Sequence, residues 1–323
     1  MSDLPKSVRI NEEGPREGFQ IEKGPIPTAR KIALIDSLSE TGLKQIQCVS
    51  YVNPKNVPGW ADAEAVTAGF KKRDDVSYTC LWLNDKGFER AMASGRYDMA
   101  GRISLTASET FVKRNQNRTL KENYDAQSAS IALYKSHGLA VEKASIMASF
   151  GCNFEGDMPT ERLLGFVAQV FEIAAAHDLK IKTLSLADTM AWATPATIKR
   201  LVGAVRGRWP DLELSLHLHD TRGMGIANAY AGLEMGVATY DAAVAGLGGC
   251  PFAAHKSAAG NVCTEDLVFM CEEMGISTGV DLERLVQTAL LAEEIVGHPL
   301  PGSVKGGGTL NRLREQIRAA KAA

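Results

Sequence analysis

The sequence predicts an α/β protein folded as a (β/α)8 (TIM) barrel with a short C-terminal helical extension. Three observations predict it. First, β-type segments alternate with helical segments eight times along the chain, which requires parallel strands joined by right-handed crossovers. Second, the eight units occupy roughly 290 residues, a length suited to one closed barrel. Third, the turn after the first strand is Gly14-Pro-Arg-Glu-Gly18. An open doubly wound sheet usually offers close-approach glycines there, whereas this turn carries a proline and two charges.

Each element has a local reason. Residues 8–12 read as a short strand, followed by a charged, Gly/Pro-punctuated loop over 13–20. Thr28 opens a helical pattern of Ile32, Leu34, Ile35 and Leu38, with Gly42 suited to its C-cap. Strand 44–50 leads through a loop, 53–59, to a weak helix near 61–70. Strand 76–83, helix 85–94, strand 99–105 and a long helix over 117–137 come next. Strand 141–150 and a loop at 151–158 precede an amphipathic helix capped by Thr160, with Leu163, Leu164, Val167 and Val170 on one face. Strand 181–186 precedes a helix that begins at Thr194-Pro195, with proline in its first position. Leucines at 212, 214, 216 and 218 alternate with polar residues through His219, a strict period of two and hence a strand. A helix from about 225, strand 240–244, a Gly/Ala-rich loop over 246–260 and helices 264–274 and 281–295 complete the pattern. The expected domains are a catalytic barrel over 1–297 and a tail over 298–323. That tail comprises a flexible glycine-rich linker and a final helix that either docks on a neighbouring subunit or stays solvated.

The 323 residues are 45% hydrophobic and 23% charged, ample for one large core. A net charge of −2 gives no reason to expect nucleic-acid or membrane-surface binding. No apolar run reaches the roughly 20 residues of a membrane helix, and the first residues lack a hydrophobic signal region. Six cysteines without a CxxC pair read as thiols, so the expected compartment is the cytoplasm.

A barrel gathers function at the C-terminal ends of its strands. His217 and His219 share one face at such an end, the leucines facing the helices and the imidazoles facing the axis. Two imidazoles placed this way can share a divalent metal, or they can be chance occupants of a half-exposed strand. Glu17 is either a solvated loop acid or the carboxylate that completes a His/His/carboxylate site with open positions for substrate. Arg16 beside it is a surface charge or an oxyanion partner. Asp188 ends its strand either as a cap on the next turn or as a proton acceptor. Asn261 is a turn residue or a neutral amide ligand. Cys250 is a small core thiol or, among three glycines and a proline, a proton donor on a mobile loop that also carries His255. His137, His177 and His298 receive no role.

These residues stand in motifs that resemble the 3-hydroxy-3-methylglutaryl-CoA lyase family, within the wider group of metal-dependent barrel lyases and Claisen-type synthases. The resemblance covers roughly 8–297. It is carried by Gly14-Pro-Arg-Glu-Gly-Phe-Gln20, Ser185-Leu-Ala-Asp-Thr189, His217-Leu-His-Asp-Thr221, Val244-Ala-Gly-Leu-Gly-Gly-Cys-Pro251 and Gly260-Asn-Val-Cys-Thr-Glu-Asp266. It implies a metal held by Glu17, His217, His219 and Asn261, and catalytic roles for Arg16, Asp188 and Cys250, with His217 as an alternative base. Arg16, Gln20 and Gln47 are the expected substrate contacts. Mg²⁺ or Mn²⁺ is the expected metal, with Zn²⁺ or Co²⁺ as alternatives on the two imidazoles.

The implied activity is retro-Claisen cleavage of a 3-hydroxyacyl-CoA such as 3-hydroxy-3-methylglutaryl-CoA to acetyl-CoA and a keto acid such as acetoacetate. A synthase of the same superfamily and a non-catalytic barrel that binds metal or acyl-CoA are the alternatives. The expected partner is the small-molecule acyl-CoA, and the expected assembly is a homo-oligomer, a dimer or tetramer. Three departures from the family pattern stand out. Glu17 replaces an aspartate, Gln47 replaces a glutamate, and the loop from Cys250 to Asn261 is two residues longer, with His255 and Lys256 inside it. The neutral Gln47 implies a pocket with one less negative charge, and therefore weak turnover of 3-hydroxy-3-methylglutaryl-CoA itself.

Overall fold

The computed structural model describes residues 4–22, 24–248 and 260–322. Eight parallel strands form the main sheet: β1 Arg9–Glu12, β2 Gln45–Ser50, β3 Ser77–Leu81, β4 Gly101–Thr106, β5 Val141–Met147, β6 Thr183–Asp188, β7 Glu213–Leu218 and β8 Thr239–Ala242. Their order is β3-β2-β1-β8-β7-β6-β5-β4, the cyclic order of a (β/α)8 barrel. Helices surround the sheet, so the expected architecture holds.

The period of two sorts the strands into an apolar and a polar face. Leu214, Leu216 and Leu218 of β7 are buried on the helix side, as are Leu184 and Leu186 of β6 and Ile103 and Leu105 of β4. The alternate residues face the axis, and they are mostly polar. Gln47, Arg102, Ser104, Ser145, Ser185, His217 and Asp241 line the same central cavity. The hydrophobic core therefore lies between sheet and helices. Removing one of its leucines costs roughly 2–5 kcal/mol.

The seam between β3 and β4 is not a strand pair. Side chains complete it instead. On α6, Leu120–Ser136, Asn123 and Gln127 lie one turn apart on one face. Gln127 accepts from the Ser104 N–H (2.9 Å) and donates to the Ser104 carbonyl (3.0 Å), while Asn123 accepts from the Thr106 N–H (3.2 Å). On the other side, the Asp98 carboxylate accepts from the Tyr78 N–H at 2.9 Å. These amides and this carboxylate satisfy the strand edges that a closed seam would pair.

Several local expectations change. The loop expected over 13–20 contains helix α1, Gly14–Ile21, with Pro15 in its first turn. Proline suits that position because its missing N–H would be unpaired there anyway. The single helix expected over 117–137 is two helices, α5 Glu109–Gln116 and α6. Asn117, left-handed at φ 55°, ends α5, and a Thr119/Glu122 capping box starts α6. Thr160 is the first residue of its helix, Thr160–Ala176, and does not cap it. Within the loop expected at 151–158, Gly151–Cys152 and Gly156–Asp157 pair as a two-residue hairpin.

The glycine-rich stretch expected to be a flexible linker includes the four-residue helix Val304–Gly307. The Asp266 carboxylate accepts from the Ser303 N–H (3.0 Å) and the Val304 N–H (2.7 Å), which ties this stretch to the barrel. The last helix, Leu310–Ala322, buries none of its residues. No helix among the described residues is long and apolar enough to cross a membrane.

Candidate metal and active site

The site begins with a buried acid that serves the fold. Glu12 ends β1 wholly buried. One carboxylate oxygen accepts from the backbone N–H groups of Gly14 (2.7 Å) and Val244 (2.9 Å), and the other from the Thr264 hydroxyl (2.7 Å). Burial pushes its pKa up to about 8, against these donors. A Cβ on Gly14 would lie 2.5 Å from the Glu12 oxygen, so only glycine fits this turn. The turn aims α1 at the axis and places Glu13, Arg16, Glu17 and Gln20 on the wall of a cavity of about 230 Å³.

Three ligand atoms converge there, one each from Glu17, His217 and His219, all within 4.8 Å of one another. The two imidazole Nε2 atoms stand 3.2 Å apart. Glu17 oxygens lie 3.6 Å from the His217 Nε2 and 3.8 Å from that of His219. His217 Nδ1 lies 3.1 Å from the Asp241 carboxylate, whose other oxygen accepts from Asn11 at 2.9 Å. Asp241 thereby fixes the His217 tautomer and leaves Nε2 free as a ligand. Asn261 is wholly buried beside His219 and donates to Glu17 at 3.0 Å. Its carbonyl oxygen has no hydrogen-bond partner among the described residues. An orphaned amide oxygen, two facing imidazole nitrogens and a carboxylate form a donor set that suits a divalent cation.

Electrostatics separate the members of this cluster. Burial disfavours ionisation of Glu17, but Arg16 and the two histidines outweigh it and hold the carboxyl below its usual range. Burial likewise disfavours charge on His217, yet Asp241 and Glu17 push it up to about 9. Burial pulls His219 down to about 4, against the neighbouring Glu17 carboxylate.

Arg16 is held on three sides: Nη1 lies 2.9 Å from Glu17, Nη2 pairs with Glu13, and Nε donates to Gln47. Both Arg16 and Glu13 are buried. Burial raises the Glu13 pKa, and Arg16 opposes that rise. Gln47 is neutral, but Glu13 brings a carboxyl to the same guanidinium. A guanidinium has five N–H donors. Three are engaged among the described residues, which leaves two N–H donors.

Sequence reasoning missed Glu13, Asp241 and Asn11. Glu13 stands three residues before Arg16, a spacing that pairs side chains on a helix but was read as loop. Asp241 sits opposite His217 in the β8–β7 register, and opposite Asn11 in the β1–β8 register.

Asp188 is placed differently from the functional expectation. It is wholly buried, and its carboxylate accepts from the backbone N–H groups of Trp192 (2.7 Å) and Ala193 (3.1 Å). Ala187 and Thr189 line the cavity, and Asp188 does not. The period of two turns it toward the helix layer with Leu184 and Leu186, so it caps the turn. Burial still pushes its pKa up to about 7. Gln20 and Gln47 line the cavity as expected. Cys250, His255 and Lys256 lie outside the described residues. Gly248, at φ +102°, leads toward them, and a Cβ there would meet the Glu17 Cβ at 2.7 Å.

The HMGL-like family model matches residues 7–291. The chain belongs to the HMGL-like family. It is 38% identical over 305 residues to a hydroxymethylglutaryl-CoA lyase of Bacillus subtilis (strain 168), covering 92% of this chain and 96% of that protein. It is 40% identical over 288 residues to the mitochondrial hydroxymethylglutaryl-CoA lyase of Rattus norvegicus, covering 89% of this chain and 85% of that protein. Among solved structures, an HMG-CoA lyase of A. baumannii in complex with coenzyme A and 3-methylmalate superposes with a TM-score of 0.84 at 34% identity, covering 96% of this chain and 97% of that one.

Proposed function

We propose that this family member is a divalent-metal-dependent carbon–carbon lyase that cleaves 3-hydroxy-3-methylglutaryl-CoA to acetyl-CoA and acetoacetate. The observation that carries this reading is the convergence of Glu17, His217 and His219 within 4.8 Å at the barrel mouth, beside the unpartnered Asn261 oxygen. These four residues would hold Mg²⁺ or Mn²⁺, with Zn²⁺ or Co²⁺ as alternatives. When bound, the metal would polarise the substrate's hydroxyl and carbonyl oxygens as a Lewis acid.

The chain's own residues do the rest. Arg16 directs its two remaining donors at the enolate oxygen that develops on the thioester. Glu13, Glu17 and Gln47 fix the plane of its guanidinium. Gln20 and Gln47 contact the acyl group. Asp241 holds His217 as a ligand, so His217 Nε2 cannot also act as the base. Asp188 supports the wall through Trp192 and Ala193. Solvent takes the proton of the substrate hydroxyl as the C–C bond breaks and acetoacetate departs, and Cys250 protonates the enolate carbon to give acetyl-CoA, recovering its own proton from solvent.

The relatives reported above are named lyases, which favours cleavage over the synthase direction. We further infer a barrel domain over 1–297, a tail over 298–323 and a homo-oligomer. We place the enzyme in the cytoplasm, which fractionation of the native cells tests. The test of activity is incubation with 3-hydroxy-3-methylglutaryl-CoA and Mg²⁺ or Mn²⁺, beside a panel of other 3-hydroxyacyl-CoA esters. Release of both acetyl-CoA and acetoacetate is the expected result. A preference for another ester in the panel would overturn the substrate assignment.

A further inference from the structure

We propose that the barrel floor beneath the metal cluster receives a carboxylate arm longer than that of 3-hydroxy-3-methylglutaryl-CoA, with Arg102 as its anchor, so that the enzyme also cleaves longer 3-hydroxyacyl-CoA esters that end in a carboxylate. This goes beyond the lyase reading and rests on it for the reaction. The observation is a row of hydroxyls. Ser104, Ser145, Ser185 and Ser215 are register partners across β4, β5, β6 and β7, and Thr239 of β8 continues the row. His217 and Asp241 stand two residues further along β7 and β8. The row therefore lies one axial layer below the metal cluster. Bulky branched side chains usually fill such a layer in a (β/α)8 barrel. Here every side chain of the row is small, and all five residues keep partial exposure inside the barrel. Ser104, Ser145 and Ser185 line the metal cavity itself, which thus extends down the axis.

The cavity also holds a cation that the reaction described above does not use. Arg102 precedes Ser104 by two residues on β4 and lines the same wall. Its guanidinium rises to the ring of Trp82, 5.4 Å from the centroid, just past the C-terminal end of β3. The other arginine of the wall, Arg16, is taken by Glu13 and Glu17. Arg102 forms no ion pair among the described residues. The acids of the wall are committed elsewhere, Asp241 to His217 and Asn11, Glu13 and Glu17 to Arg16. An unpaired guanidinium beside a row of hydroxyl donors suits a carboxylate.

Distance decides the length of the arm. Successive axial layers are two residues apart, roughly 6.6 Å along the strand. The free carboxylate of 3-hydroxy-3-methylglutaryl-CoA lies only two bonds from the carbon whose hydroxyl meets the metal, so it stops short of the hydroxyl row. Further methylenes carry it to the serines and Arg102. The first such ester is 3-hydroxy-3-methyladipyl-CoA, one methylene longer. Its cleavage balances in the same way. The bond between C2 and C3 breaks and its electron pair becomes the thioester enolate. Solvent takes the hydroxyl proton, and the enolate carbon is protonated. The products are acetyl-CoA and 4-oxopentanoate.

The test is kcat/KM of the metal-loaded protein for 3-hydroxy-3-methylglutaryl-CoA and for the adipyl and pimelyl homologues, one and two methylenes longer. Arg102→Met removes the charge, Arg102→Lys keeps it, and Ser145→Leu fills the row. Circular dichroism and metal content confirm that each variant is folded and loaded. The expected result is release of acetyl-CoA from both longer esters by the wild type. Arg102→Met should lower kcat/KM for them about 10- to 100-fold more than for the shorter ester, the effect of losing a hydrogen bond to a charged group. Arg102→Lys should recover part of that loss, and Ser145→Leu should disfavour the longer esters in the same sense. An ester with an uncharged arm of equal length, 3-hydroxy-3-methylhexanoyl-CoA, should not respond to Arg102→Met. Cleavage of the shorter ester alone, or losses in Arg102→Met that are equal for all esters, would overturn the proposal. The two readings fail separately. Should no ester be cleaved, the lyase reading falls, and calorimetric titration with 4-oxopentanoate then decides the floor: binding that depends on Arg102 supports it, and no such binding overturns it. Faster cleavage of a longer ester than of the shorter one supports the floor and removes the substrate assignment.

Discussion

Glu13→Ala tests the arrangement around Arg16. Glu13 and Arg16 are buried partners, 5% and 8% exposed. Removing one member of a buried pair typically costs 3–5 kcal/mol when it strands the other charge. Arg16 keeps Glu17 and Gln47, so the expected loss of stability is smaller, about 1–3 kcal/mol. The guanidinium also loses the partner that fixes Nη2, and kcat/KM should fall about 10- to 100-fold. Gln47→Glu alone adds a third carboxyl around one guanidinium and should destabilise by like-charge repulsion. Combined, the two changes move the carboxyl from one side of Arg16 to the other and preserve the charge count. The double variant should recover most of the activity, with a coupling of about 1–3 kcal/mol between the sites. The assay is kcat/KM for 3-hydroxy-3-methylglutaryl-CoA alongside urea unfolding of all four proteins. Strictly additive losses, or a Glu13→Ala variant with wild-type kinetics, would show that Glu13 does not position Arg16.

Three further outcomes follow from the site. His219→Ala should lose bound metal and turnover together while the circular dichroism spectrum persists; unchanged metal content would remove His219 from the ligand set. Cys250→Ser should lower turnover by ~10²–10⁴ with little change in substrate binding, because a hydroxyl is a far weaker acid than a thiol. Near-normal turnover would return Cys250 to a packing role. Asp188 carries a pKa raised from 3.8 to about 7. Its folded form holds the proton longer than the unfolded chain, so its contribution to stability is complete below pH about 4 and is lost as pH rises through about 7. Asp188→Asn should therefore remove part of the fall in unfolding free energy over that window, and a pH profile parallel to that of the wild type would refute it.

The barrel was legible because its strands obey two periods at once: leucines at 214, 216 and 218 seat the helices, and the intervening residues face the axis. The same alternation identified His217 and His219 as neighbours. It was not applied to β6, where it turns Asp188 away from the cavity, nor to β8, where it aims Asp241 at His217. Glu13 was missed because glycine and proline suggested a loop, whereas proline at a helix start is stabilising and Gly14 is required by the Glu12 carboxylate. The open seam has no signature in either bordering strand. Its markers are Asn123 and Gln127, two amides inside a helix that bond the strand edge beside them. The break between α5 and α6 was readable, since Thr119 and Glu122 have capping-box spacing.

The central claim is cleavage of 3-hydroxy-3-methylglutaryl-CoA at a metal held by Glu17, His217, His219 and Asn261. Its most direct test is release of acetyl-CoA by protein stripped with a chelator, measured as Mn²⁺ is added back. The account predicts no release from the stripped protein and a rise in rate that saturates at one metal ion per chain. Release that is indifferent to Mn²⁺, or no release at full occupancy, would contradict it.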